Sequence, residues 1–173
     1  MELGEADKLF ATPARVASVD GALADKKARR IRIEGLEGSA VAMLLAGLKK
    51  SKVASLVVAD DMDTAGYMYH DLCQILGPEK IGIFPSGYKR AIKYGQPDPP
   101  SQILRTEVLD ALREKNCPLQ YVVTYPEALA EKVADAETRA TNTVSLKKGQ
   151  RIILSDLLGR LRELGFKETE YVY

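Results

Sequence analysis

The chain has no tryptophan, one histidine and two cysteines among its 173 residues. His70, Cys73 and Cys117 make no set of zinc ligands, which takes several such side chains at characteristic spacing. The two separated thiols make no disulfide framework either, so a reducing, cytoplasmic compartment is expected. No signal peptide precedes the first charged residues and no apolar run is long enough to cross a bilayer, so no membrane role is expected. Charge of one sign is missing too, since 25 basic and 24 acidic residues leave a net charge of +1. Such a balance supplies no general field for nucleic acid or an anionic membrane. The basic run Lys26-Lys27-Ala28-Arg29-Arg30 has acidic flanks and reads as a solvated helix end. No G-x-S-x-G elbow is present, so His70 has no nucleophilic serine to serve and reads as an ordinary helix residue.

What is present is a globular composition, 46% hydrophobic and 28% charged. Met1 to Lys27 reads as helical. Ile31 to Ile33 reads as a short strand, Gly35 to Ser39 as a turn and Ala40 to Lys50 as a helix. Further short apolar runs give strands over Ala54 to Ala59, "KIGIFP" and "QYVVTYP". A helix starts near Asp61 or Asp63 and stops at Gly77-Pro78. Another covers Ser101 to Lys115, with Ile103, Leu104, Val108, Leu109 and Leu112 on one face. Pro126 opens a short one. Strands alternating with helices predict a parallel α/β sheet covered by helices over residues 1–140. Residues 141–173 read as strand, turn and helix, with Ser155 as N-cap and Gly165 as stop. The alternation in "KETEYVY" predicts a strand cut short, hence the start of a second α+β domain.

The strand–turn–helix around "GLEGSAVA" has the layout of a phosphate-binding loop. A working G-x-x-x-x-G-K-[ST] cradles phosphates on backbone N–H groups, reaches them with its lysine and ligates magnesium with its hydroxyl. Read from Gly35, the sequence keeps the first glycine. Ala40 replaces the second, Val41 the lysine and Ala42 the magnesium ligand, and Glu37 adds an opposing charge. Gly35, Gly38, Ser39, Val41 and Ala42 therefore form a degenerate phosphate loop. No catalytic, cofactor-binding or metal-ligating role is expected of them. Asp60 and Asp61, in the stretch "LVVADDMD", resemble Walker B carboxylates but suit helix capping better. A rival reading keeps an active nucleotide-dependent enzyme, with Gly35 to Ser39 as an atypical loop and Asp60 or Asp61 on magnesium. A third takes Tyr88, Lys89, Arg90, Lys93 and Tyr94 as a nucleic-acid surface, since basic and aromatic residues alternate there.

Four stretches in order, "GLEGSAVAMLLAGL", "SLVVADDMDTAGYMYHDL", "IFPSGYKRAIKYGQPDPPSQILRTEVLDAL" and "VVTYPEALAEKV", resemble the N-terminal UvrB-like region of the bacterial transcription-repair coupling factors, the Mfd family. "SLKKGQRIILSDLLGRLRELGF" is similar to a further segment of that family. The resemblance implies a RecA-like, P-loop-type sheet that has lost its ATP site. It also implies a parent protein with ATP and magnesium in separate motor domains, a DNA translocase that acts on stalled RNA polymerase. UvrA is the implied partner of the module beginning near Val144, through contacts beyond Tyr173. No room exists between Phe84 and Ser101 for the long lesion-probing hairpin of UvrB.

Overall fold

A computed structural model of the chain describes residues 14–25, 27, 29–48, 53–88, 96–133, 138, 141–166 and 168. It falls into two compact units, Met1–Glu131 and Lys132–Tyr173.

In the first unit, three apolar runs become strands β1 (Ser55–Val58), β2 (Ile81–Ile83) and β3 (Tyr121–Thr124). All pairings are parallel and the order is β1-β3-β2. The helices among the described residues are α1 (Ala14–Ala24), α2 (Ala40–Gly47), α3 (Met62–Leu76), α4 (Pro99–Ala111) and α5 (Pro126–Ala130). The strand order dictates their sides. The chain crosses from β1 outward to β2 through α3, then back inward to β3 through α4. Crossovers of one hand in opposite directions put the two helices on opposite faces. The cores follow suit. Ala65 and Leu72 of α3 pack with Ala42, Ile81, Tyr121 and Val123 on one face, and Val108 of α4 packs with Phe84 and Val122 on the other. β3 runs through the middle with all four residues buried, as a continuous apolar run requires.

The helix boundaries have local causes. The carboxylate of Asp61 accepts the Thr64 N–H at 2.8 Å and caps α3. Gly77 (φ 95°) ends α3, its N–H donating to Cys73 O at 3.0 Å, and Pro78 starts a single 3₁₀ turn. Prolines at the first two positions let α4 begin at Pro99, ahead of the expected Ser101, because those positions need no N–H partner. α4 stops at Ala111 rather than Lys115.

Two expectations for this unit are corrected. Residues Ile31 to Ile33 lie in no strand, and their side chains are exposed. Three residues with arginine at the centre bury too little apolar surface to secure a place in the sheet. The buried stripe of α4 is also displaced, since Arg105 and Val108 are buried while Ile103 and Leu112 are exposed.

In the second unit the expected strand after Thr141 is absent among the described residues. "KKGQ" forms a turn closed by Gln150 N–H on Lys147 O (3.0 Å), with Gly149 at φ 85° in the position that favours glycine. The Gln150 side chain accepts the Lys147 N–H at 3.1 Å, which explains the pairing of these two residues around the glycine. Helix α6 (Leu154–Glu163) follows. Ile153, not Ser155, is its N-cap, and the Ser155 hydroxyl bonds Asp156 inside the first turn. The Gly165 stop holds. Gly165 N–H donates to Arg162 O and Phe166 N–H to Leu161 O, the two bonds of a Schellman cap. The "KETEYVY" expectation falls mostly outside the described residues.

Candidate functional site

The glycine turn is folded as a turn. Gly35 (φ 79°) and Gly38 (φ 53°) both occupy the left-handed region that other residues avoid. Ala40 N–H donates to Glu37 O at 3.1 Å and Met43 N–H to Ser39 O at 3.0 Å, which starts α2. Ser39 offers no side-chain cap. Ala42, at the position of a magnesium-ligating hydroxyl, is fully buried in the core beside Ala65. Val41 is half-buried. The turn therefore presents backbone and no charge-bearing side chain except Glu37, which is exposed. The feeding strand is missing as well, so two parts of a working phosphate loop are absent here, the chemistry and the sheet anchor.

The other sequence candidates lie apart in role. Asp61 is spent on its cap, and Asp60 is exposed after β1. His70 is exposed on the outer face of α3, beside an open surface groove of about 540 Å³ that Met62 and Tyr67 also line. Tyr88 pairs with Pro97 across the base of its loop, while Lys89, Arg90, Lys93 and Tyr94 lie outside the described residues. Among the described residues no cluster of three or more His, Cys, Asp or Glu is placed to hold a metal. No helix among them is long and apolar enough to cross a membrane.

A polar constellation sits at the carboxyl ends of β2 and β3, where ligands of open α/β sheets commonly bind. Arg105 reaches it from α4 and is only 7% exposed. Its Nη1 donates to Pro85 O (2.7 Å) and Ala128 O (3.1 Å) and lies 3.3 Å from the Glu131 carboxylate. The guanidinium stacks 4.1 Å from the Phe84 ring centroid, and Nη2 is buried with no hydrogen-bond partner. Glu131 also accepts the Gly87 N–H at 2.9 Å and the Ser86 hydroxyl. Ser86 N–H donates to the Tyr125 hydroxyl at 2.8 Å, and the Thr124 hydroxyl donates to Phe84 O at 2.8 Å. One buried ion pair thus ties α4, the segment after β2 and the end of α5 together. Its carboxylate is already filled by protein donors, so the arrangement fixes loops and leaves no reactive group free.

Sequence reasoning missed this cluster. A partial signal existed, since Arg105 stands three residues before Val108 on the buried stripe of its helix. Glu131 gave none.

Elsewhere burial favours the neutral form of three groups, Tyr121, Tyr69 and Cys73. Burial pushes the Tyr121 phenol above its ordinary value, with a smaller push from Asp20, and its hydroxyl donates to Leu45 O at 2.6 Å. Burial likewise raises Tyr69 and Cys73, which hydrogen-bond each other. Protonated groups of this kind stabilise packing and supply no nucleophile at neutral pH.

Against this geometry, no protein-family model, no curated protein and no solved structure matches the chain.

Proposed function

We propose that this chain is a non-catalytic binding module, the UvrB-like N-terminal scaffold of a transcription-repair coupling factor. In this reading its three-stranded sheet is the remnant of a RecA-like, P-loop-type core, and the second unit begins the module that meets UvrA. ATP and magnesium belong to motor domains elsewhere in the parent protein, as do the contacts that move DNA and release stalled RNA polymerase. The chain itself holds neither cofactor and works by presenting shape.

The observation that carries the reading is the state of the glycine turn. Its two left-handed glycines persist, yet Ala42 is buried in the core where a phosphate loop would expose a magnesium ligand. A turn kept for its shape after losing lysine and hydroxyl suits a scaffold. The order of the motifs that resemble the family, from Gly35 to Phe166, supports the choice of family.

The test is made on the complete protein from which residues 1–173 are deleted. ATP hydrolysis and displacement of a stalled polymerase should persist, while recruitment of UvrA should fall. Loss of hydrolysis with retention of UvrA binding would contradict the proposal.

A further inference from the structure

The two edges of the sheet differ in what flanks them. Among the described residues β2 is an edge strand, paired only with β3. Its free edge forms the floor of a half-enclosed cleft of about 230 Å³, running between α3 and α4. Tyr69 forms the α3 wall, and Leu104, Glu107 and Val108 form the α4 wall.

The backbone of this floor is open. Phe84 N–H donates to Val123 O at 2.8 Å. By the two-residue alternation of a strand, Ile83 turns its N–H and C=O away from β3 and into the cleft. Ile81 N–H is held by Pro78 O, which leaves the Ile81 carbonyl as a further acceptor on the same edge. Gly82 lets α4 sit directly on the strand, because a Cβ there would lie 2.8 Å from the Val108 side chain. The α4 wall is thereby drawn close along the edge.

The charge of the cleft is one-sided. Glu107 lines it and, among the described residues, makes no ion pair. Its carboxylate is near enough to Tyr69 to add to the effects that keep that phenol protonated. The remaining lining is predominantly aliphatic, with Ile81, Ile83 and Leu104 foremost.

We infer that the β2 edge is a strand-addition site for an extended peptide segment of a partner protein, with small aliphatic residues alternating with lysine or arginine. Such a segment accepts from Ile83 N–H and donates to the Ile81 and Ile83 carbonyls. Its side chains alternate between the cleft and solvent, as in other recognition by an added strand. An aliphatic residue turned into the cleft fills the space beside Leu104, and its outward-turned basic neighbour reaches Glu107, which is exposed at the rim. This surface is separate from the glycine turn and does not depend on the proposed identity of the parent protein.

The probe is the fluorescently labelled peptide acetyl-Val-Lys-Val-Lys-Val-amide, titrated by anisotropy at moderate salt against the intact chain. Saturable binding is expected, with slowed amide exchange at Ile83. Methylation of alternate backbone nitrogens of the peptide should abolish it, because main-chain bonds supply the affinity. Leu104→Glu should weaken binding about tenfold and Glu107→Lys about fivefold, as expected for a pocket contact and a rim charge. Both side chains are exposed, and the melting curve of each variant checks its folding. No saturable binding below about 1 mM, the weak end of specific affinity, would overturn the inference. Equal binding by the methylated peptide would overturn it too, since the attraction would then be ionic rather than strand pairing.

Discussion

The glycine turn and the carboxyl ends of β2 and β3 invert what each announces in sequence. The turn keeps the glycine-rich look of a phosphate loop in one short stretch, yet holds only backbone and one exposed glutamate. The strand ends spell nothing, yet gather Phe84, Ser86, Gly87, Arg105, Tyr125 and Glu131 into one bonded cluster. The first region has shape without chemistry. The second has charge and hydrogen bonding turned inward, with Arg105 Nη2 left without a partner. Among the described residues, neither region holds a cluster of three or more His, Cys, Asp or Glu placed for a metal.

The comparison is broken most sharply at Arg105. Arg105→Met should destabilise the unit by roughly 3–5 kcal/mol, the usual result of leaving one member of a buried pair alone. Urea denaturation measures it. Adding Glu131→Leu should recover part of the loss, because the stranded carboxylate goes with it. A loss near zero for the single variant would show the pair to be solvated and the cluster unimportant.

At the glycine turn the effects should be smaller and should never create activity. Installing the missing phosphate-loop residues, Val41→Lys with Ala42→Thr, should cost about 1–3 kcal/mol, because the new hydroxyl enters an apolar core. It should not yield nucleotide hydrolysis in a coupled phosphate assay, since no strand anchors the loop. Gly38→Ala should cost about 1–2 kcal/mol through its left-handed backbone alone.

The smallest effect concerns the buried phenols. Tyr121→Phe removes the bond to Leu45 O and should cost about 1 kcal/mol. The folded state holds the Tyr121 and Tyr69 protons above their ordinary value. The unfolded chain therefore releases them first, as pH passes about 10. Stability from these groups is complete below that pH and falls as the pH climbs toward the folded values. Melting temperatures between pH 8 and 11 (approximate limits set by the tyrosine value) should drop less steeply in the Phe variant.

What was legible in the sequence was local. Asp61 capping Thr64, the Gly77-Pro78 stop, the Gly165 cap and the three apolar strands all follow from residues within a few positions of one another. The parallel alternation of strand and helix then gives the class of fold. What failed needed information from a distance. Ile31 to Ile33 has strand composition but no bonded neighbour in the described sheet. Arg105 looks like a surface residue until Glu131, far along the chain, is brought beside it. The exposure of Leu56 and Val58, 56% and 50%, depends on α4 covering β2 and β3 rather than β1, which only the strand order reveals.

The glycine turn keeps two left-handed glycines without the lysine and hydroxyl that hold a magnesium nucleotide. Titration calorimetry of the intact chain with Mg-ATP tests it most directly. The account predicts no saturable heat, and none in Gly38→Asp either. Micromolar binding by the native chain, lost in Gly38→Asp, would contradict it.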